Sequence, residues 1–167
     1  RYTFPKDAEK HVMINLKDAN GDDRPTDIYL EQMNDTVIRG YRHSTGWSKK
    51  QQIYFTAVFS QPIHLTLYHD SVQVAGNHLQ GLDVKGNVSI ASTKEELCVK
   101  VGISPVSMDN AMGNIRQEIK NWDFEKIVEE TTKKWNIELS KLQVETNNVA
   151  AKRVFYTALY HAFMQPI

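Results

Sequence analysis

The sequence has little cysteine and no excess of charge of either sign. Its one cysteine, Cys98, excludes an internal disulfide framework and a cysteine-based zinc cluster, and it leaves the cellular compartment open. Lysine and arginine number 20, as do aspartate and glutamate. This balance argues against a nucleic-acid-binding protein, which usually carries a basic excess. No apolar run reaches the roughly 18 residues of a membrane-spanning helix.

The first hundred residues alternate as β-strands do. Ile63, Leu65 and Leu67 share one face, and polar residues lie between them. The segment 53–59 is apolar in both phases, which predicts a strand buried on both faces. Clusters of asparagine, aspartate and glycine predict turns at 20–23, 76–77 and 85–87. Short strands separated by such turns predict an antiparallel β-sandwich.

Helical spacing replaces this alternation after residue 104. Ser107 occupies the position of an N-cap, and Ala111 and Ile115 recur at helical intervals behind it. A second helix is expected after Asp123, with an apolar stripe that includes Trp135. A third should begin near residues 147–148. Its segment 154–164 is apolar on all sides, which predicts that it is buried in a larger helical domain.

The predicted fold class is therefore mainly β with α. It consists of an incomplete antiparallel β-sandwich followed by two to three helices. We expect residues 1–104 to form the sandwich portion and residues 105–146 to form linker helices. Residues 147–167 would be the first helix of a helical domain that this sequence does not contain, so the sequence is expected to be a piece of a larger protein.

Four segments carry a resemblance to a known family, and they occur in the family's order. The sequence resembles glycoside hydrolase family 92 over nearly its whole length, from about Phe4 to Pro166. The segments are GYRHSTGWS and IYFTAVFSQP at 40–48 and 53–62; VGIS at 101–104 with Asn110, Ala111 and Asn114; the linker-like positions Trp122, Asp123, Phe124, Trp135, Asn136 and Leu139; and FYTALYH at 155–161.

This resemblance implies a fold and an activity. The family consists of bacterial exo-acting α-mannosidases built from an N-terminal β-sandwich, a helical linker and an (α/α)6 barrel. They invert the anomeric centre and need calcium. Their catalytic carboxylates and calcium ligands lie in the barrel, beyond Ile167. No catalytic or metal-binding residue is therefore predicted here, and calcium is expected only in the full-length enzyme.

The implied function is mannose trimming of glycans, with α-1,2 linkages as the expected type. This chain would act as scaffold and pocket wall, and it would be inactive alone. Its expected partners are mannose-containing glycans and the missing catalytic domain, with neither nucleic acid nor a membrane span. The implied location is periplasmic, cell-surface or secreted in a bacterium.

The acidic residues of the sequence do not suggest a catalytic pair. Inverting glycosidases place two carboxylates about 6.5–9.5 Å apart. The adjacent pairs 22–23, 95–96 and 129–130 are interpreted as solvated charge. The sequence from Asp18 to Asp22 resembles the start of a calcium-binding EF-hand loop, but Asp23 replaces its glycine and Tyr29 its closing glutamate. A hairpin turn is the preferred interpretation.

His161 and Gln165 are the predicted substrate-binding residues. Both lie near the end of the third helix, and the active site of an (α/α)6 barrel gathers where its inner helices end. The alternative for His161 is a core histidine that is hydrogen-bonded to a neighbour. The other histidines are interpreted as structural or exposed; they are His11, His43, His64, His69 and His78.

The aromatic residues leave a second function open. Trp135 is expected in the helix core and Trp122 at a helix junction, while Trp47 is either a sandwich anchor or a rim residue. None is predicted to be a sugar platform. The alternative function is a non-catalytic carbohydrate-binding β-sandwich, which would need exposed aromatic residues on a sheet face. The strands offer Tyr29, Tyr54 and Tyr68 for that purpose.

Overall fold

The computed structural model describes residues 1–164. These residues divide into two compact units, the first from Arg1 to Trp122 and the second beginning at Asp123. The strands are β1 (Tyr2–Thr3), β2 (His11–Asn15), β3 (Arg24–Asn34), β4 (Val37–Thr45), β5 (Gln51–Phe59), β6 (Ile63–His69), β7 (Val72–Val74), β8 (His78–Gly81), β9 (Val84–Ile90), β10 (Glu96–Leu97) and β11 (Val99–Ser104). The helices are α1 (Met108–Glu118), α2 (Phe124–Leu139) and α3 (Val149–Met164).

The first unit is a β-sandwich made of antiparallel sheets. One sheet has five strands in the order β11-β5-β4-β3-β8, the other has four in the order β2-β9-β6-β7, and β1 pairs with β10. The inner faces of the two larger sheets share one hydrophobic core, which includes Ile28, Leu30 and Ile38 from the first and Leu67 and Val88 from the second. The predicted fold class is confirmed.

The core follows the alternation of the sequence in most strands. Ile63, Leu65 and Leu67 of β6 are buried, and His64 between them is exposed. The prediction that segment 53–59 is buried on both faces is partly wrong. Thr56 is covered and Phe59 lies in the core, but Ile53 at the start of the strand is 52% exposed.

The sandwich is open along the edge formed by β2 and β11. An apolar cleft of about 250 Å³ lies between the sheets there, lined by side chains of β2, β5 and β11. Val101 and Ile103 of β11 face inward, like Phe55 opposite Ile103, yet they are 56% and 63% exposed. The two sheets therefore do not close on each other along this edge.

The turn predicted at residues 85–87 is wrong. These residues lie inside β9, which is hydrogen-bonded to β2 on one side and to β6 on the other. A Cβ atom on Gly86 would stand 2.7 Å from Leu65 Cδ1 and 2.8 Å from Leu30 Cδ2. The glycine is present because two leucines from opposite sheets meet over it. The turns near Gly21 and Gly76 are confirmed, and both glycines have positive φ.

Helix α1 begins as predicted and packs on the outer face of the five-stranded sheet. The Ser107 hydroxyl accepts a hydrogen bond from the backbone N–H of Asn110 at 3.0 Å. The Thr56 hydroxyl donates to the carbonyl of Met108. A Cβ atom on Gly102 would lie 2.1 Å from the carbonyl oxygen of Ala111, so only glycine permits this close approach. α1 is thus part of the first unit.

The second unit contains two helices that also begin where predicted. The Asp123 carboxylate accepts from the N–H of Lys126, and the Asn148 side chain accepts from the N–H of Ala151, both at 3.0 Å. Trp135 of α2 packs against Tyr160 of α3 with ring centroids 4.5 Å apart, as expected for a helix-core residue. Within the described residues neither helix has a buried position. The boundaries at 104/105 and 146/147 stay a prediction.

Two glycine variants test the packing of α1. Gly102→Ala is expected to lower the free energy of unfolding by about 1–3 kcal/mol, because the new methyl group must displace the helix backbone. Gly113→Ala is the matched control. It lies within α1 with open space around it, so its greater helix propensity should raise stability by up to about 1 kcal/mol. Urea denaturation measures both, and equal effects would contradict the close approach.

Candidate functional site

Polar and aromatic side chains gather on the outer face of the five-stranded sheet. Strand register places Tyr29, Tyr41 and Tyr54 opposite one another on β3, β4 and β5, with Gln80 of β8 beside Tyr29. Gln52, His43 and Asp27 form the adjacent row. We call this set the tyrosine face, and its members are Asp27, Tyr29, Tyr41, His43, Gln52, Tyr54 and Gln80.

The rings of the tyrosine face pack against one another. Tyr41 and His43 stack at a centroid distance of 4.4 Å with an interplanar angle of 18°. They are alternate residues of one strand, so their stacked planes stand up from the sheet and do not lie flat on it. Tyr29 lies nearly parallel to Tyr41, and Tyr54 meets both Tyr41 and His43 edge-on. The polar edges of the rings therefore form much of the surface.

The Asp27 carboxylate organises the polar atoms of this face. It accepts hydrogen bonds from the Tyr41 hydroxyl at 2.9 Å and from Gln80 Nε2 at 3.0 Å. His43 Nδ1 lies 4.0 Å from the same carboxylate. On its other side, His43 Nε2 is 3.3 Å from the Tyr54 hydroxyl. The network offers fixed hydrogen-bonding groups and includes no lysine or arginine.

Two phenols of this face ionise with difficulty. Burial, and then the hydrogen bond to Asp27, raise the pKa of Tyr41 to about 12. Burial and the neighbouring Glu31 also raise the pKa of Tyr29. Both phenols are neutral at physiological pH, but their protons are engaged with Asp27 and Glu31, so their hydroxyl oxygens can accept a hydrogen bond from a ligand without acting as nucleophiles.

A second concave region lies at one end of the sandwich, but its charges are engaged in ion pairs. The open cleft measures about 700 Å³ and is lined by Asp18, Asp23, Asp83 and other residues. Lys17 Nζ lies 2.5 Å from Asp83, and this contact lowers the pKa of Asp83. Arg42 Nη1 lies 3.0 Å from Asp23. The interpretation of Asp23 as solvated charge is wrong, because the partly buried Arg42 holds it; the neighbouring Asp22 is exposed.

The predicted substrate residues lie in or beyond α3. His161 is on α3, is exposed, and has its ring 5.8 Å from that of Tyr160. Gln165 lies outside the described residues. This ring contact does not by itself indicate that His161 binds substrate, so its substrate role stays a prediction. Of the other histidines, His43 is half-buried in the tyrosine face, and His11, His64, His69 and His78 are exposed.

The tryptophans differ in their surroundings. Trp47 is fully exposed in the loop between β4 and β5, so it does not anchor the sandwich. Trp122 lies at the junction between α1 and α2, under the Lys100 ammonium group at 4.2 Å. The anchor position is therefore wrong for Trp47, and the rim position stays a prediction.

The tyrosine face was missed because its residues come from four separate segments. Each strand carries a signal of its own: Asp27 and Tyr29, Tyr41 and His43, and Gln52 and Tyr54 all recur at the two-residue period of a strand. Among them only Tyr29 and Tyr54 were considered for sugar binding, and His43 was interpreted as structural or exposed. That these residues and Gln80 meet depends on the register between strands, which the sequence alone does not give.

Neither a metal centre nor a membrane helix is found in the part of the chain that the structure describes. No three His, Cys, Asp or Glu side chains of residues 1–164 group so as to hold a metal ion. The calcium implied by the family resemblance therefore has no fitting ligand set among these residues. Their helices are also too short or too polar to cross a membrane.

Comparison with known protein families shows the family to which the chain belongs. The N-terminal domain of glycosyl hydrolase family 92 matches residues 1–104, and the catalytic domain of the same family matches residues 110–167. The chain is a member of glycosyl hydrolase family 92. This confirms the resemblance drawn from the sequence motifs.

Solved structures agree with this assignment. A family GH92 alpha-mannosidase from Bacteroides thetaiotaomicron is 28% identical over 96% of this chain, with a TM-score of 0.87. A family GH92 inverting mannosidase from the same species is 18% identical over 96% of the chain, with a TM-score of 0.81, and shows the shared fold. The chain spans 23% and 22% of these two proteins.

A shorter match is found to a further relative. A protein of Arthroderma benhamiae described as an uncharacterized secreted glycosidase is 31% identical over 71 residues. The match covers 40% of this chain and 9% of that protein.

The free energy of unfolding at alkaline pH should depend on the ionisation of the Tyr41 phenol. The pKa of its phenol in the folded chain is about 12, above the ordinary 10.0, so the folded state keeps this proton longer than the unfolded state. Its contribution to stability is complete below pH 10 and is lost as the pH rises from 10 to about 12. Asp27→Asn should lower this pKa, because the negative charge that opposes the phenolate is removed.

Ultraviolet absorbance of tyrosinate during a pH titration measures this ionisation. Tyr41→Phe is the control that identifies the highest-pKa phenol. An unchanged titration in Asp27→Asn would contradict the role given to the carboxylate.

Proposed function

We propose that this chain is the β-sandwich scaffold of an exo-acting α-mannosidase that trims mannose from glycans. The observation that carries the proposal is the match of both family 92 domains in order along the chain. It is supported by the likeness to the Bacteroides alpha-mannosidase, which has also been solved in complex with mannoimidazole. Because the chain spans less than a quarter of that enzyme, the proposal concerns a longer protein.

The proposed reaction inverts the anomeric centre and removes α-1,2-linked mannose. A carboxylic acid protonates the leaving oxygen while a second carboxylate activates water on the opposite face of the sugar. We assign neither role to this chain. In the sandwich the ion pair with Lys17 lowers the pKa of Asp83, the opposite of the raised pKa that a general acid needs. The chain contributes a wall of the substrate pocket, and we expect it to be inactive alone.

The remaining assignments rest on the family resemblance. His161 and Gln165 would contact substrate; the exposure of His161 on α3 leaves its ring accessible. We assign a calcium requirement to the longer enzyme and expect its ligands outside residues 1–164. A periplasmic, cell-surface or secreted location is supported by the relative described as secreted.

The alternative is a carbohydrate-binding sandwich without hydrolytic function. The observation that favours it is the tyrosine face, an aromatic surface on one sheet. Against it stands the stacking of Tyr41 on His43, because the stacked rings stand up from the sheet and do not form a flat platform for a sugar ring. Tyr68 lies on the other sheet, next to Lys85 and Gln73, and adds nothing to this surface.

Hydrolysis assays separate the two functions. The 167-residue chain and the longer enzyme to which we assign it are incubated with an aryl α-mannoside and with α-1,2-mannobiose, each with calcium and with a chelator. We expect activity only from the longer enzyme with calcium, and nuclear magnetic resonance of the first-formed mannose should show the inverted anomer.

Other results in this assay would change the proposal. Turnover by the 167-residue chain would place acid and base within it and overturn the scaffold role. Absence of mannoside hydrolysis from both proteins would favour the binding module.

A further inference from the structure

The tyrosine face differs chemically from an ordinary protein surface. Its seven side chains are phenols, amides, an imidazole and one carboxylate, with neither lysine nor arginine among them. Charged residues make up 24% of the whole sequence. Surfaces that are rich in tyrosine and poor in lysine and glutamate are typical of recognition sites.

The face is accessible and also held in place. Helix α1 covers the neighbouring row of the same sheet, where Thr56 and Gly102 lie beneath it. The side chains of His43 and Asp27 remain 22% and 33% exposed, and Gln80 is exposed. Hydrogen bonds among the members restrict their rotamers before any ligand arrives, which lowers the entropic cost of binding.

The available groups define the chemistry of the ligand. Hydroxyl, amide and imidazole groups each donate or accept hydrogen bonds, as sugar hydroxyls do. The neighbouring Arg39 on the same sheet face is already paired with Glu31 and Asp109, so it is not available to an anionic ligand. A cation would find the Asp27 carboxylate, which already accepts from Tyr41 and Gln80. A flat apolar ligand would need rings that lie flat on the sheet, whereas the stacked rings of Tyr41 and His43 stand up from it. A neutral polyhydroxylated chain fits these groups.

We propose that the tyrosine face binds the glycan chain of the substrate through hydrogen bonds between the hydroxyl groups of neutral sugar residues and three side chains. Tyr41 and Gln80 accept through their side-chain oxygens, because their protons are donated within the face, and the Tyr54 hydroxyl can donate or accept. The proposal rests on the glycosidase function given above. It adds glycan binding to the pocket-wall role of the sandwich. Contact through polar edges without ring stacking makes the site weak, with a dissociation constant on the order of 1 mM. Its contribution is to hold an extended glycan on the enzyme.

Titration of the whole 167-residue chain with α-linked mannotriose tests the proposal. Amide signals in β3, β4 and β5 around Tyr41 should shift in two-dimensional nuclear magnetic resonance spectra and saturate. The double variant Tyr41→Phe/Tyr54→Phe should bind about tenfold more weakly, because it keeps the rings and removes two hydroxyl groups. Gln80→Ala, at an exposed position of an edge strand, should weaken binding with no effect on folding.

Tyr68→Phe is the matched control, since it removes a tyrosine hydroxyl from the other sheet and should leave affinity unchanged. Shifts confined to other regions, no shifts at about ten times the expected dissociation constant, or an equal loss in Tyr68→Phe would each overturn the proposal. If mannotriose does not bind but the longer enzyme hydrolyses mannosides, only this inference fails. If it binds at the tyrosine face and no mannoside is hydrolysed, only the proposed function fails.

Discussion

The register between β3, β4 and β5 is the constraint on which the rest of the sandwich depends. Side chains alternate between the two faces of a strand, so the burial of Ile28, Leu30 and Ile38 forces their neighbours outward. Tyr29 lies between Ile28 and Leu30, and Tyr41 has the outward phase of β4, three residues after Ile38. A slip of one residue in a strand would bring its outward side chains into the core and expose its inward ones. The same register between the strands therefore specifies both the hydrophobic core and the tyrosine face.

Close backbone approach is the second requirement, and glycine meets it at two places. Gly86 lets Leu65 and Leu30 from opposite sheets meet in the core, and Gly102 lets α1 lie directly on the outer face of the five-stranded sheet. The position of α1 has a functional consequence. By covering the row that contains Thr56, it leaves the adjacent row of tyrosines uncovered by the helix and partly exposed. The uncovered part of the sheet is thus a product of helix packing as well as of strand pairing.

Three carboxylates of the first unit have fixed partners within the fold. Asp83 is held by Lys17, Asp23 by Arg42, and Asp27 by Tyr41 and Gln80. The ion pair with Lys17 lowers the pKa of Asp83, whereas a general acid needs an environment that raises its pKa. This division agrees with membership in glycosyl hydrolase family 92, in which we assign the chemistry to a part of the enzyme outside this chain. The role that we propose for the sandwich is to position and contact the substrate, which needs rigid side chains more than reactive ones.

Local signals in the sequence determined the helix starts at Ser107, Asp123 and Asn148, the alternation of β6, and the family, because caps, two-residue periods and motifs depend on residues near one another in the chain. The same local signals misjudged Gly86, whose neighbours resemble a turn although its contacts come from Leu65 and Leu30, far away in sequence. They also missed the tyrosine face. Only the tertiary structure brings residues from four strands into one surface, because the register between strands is decided by the packing of the whole core.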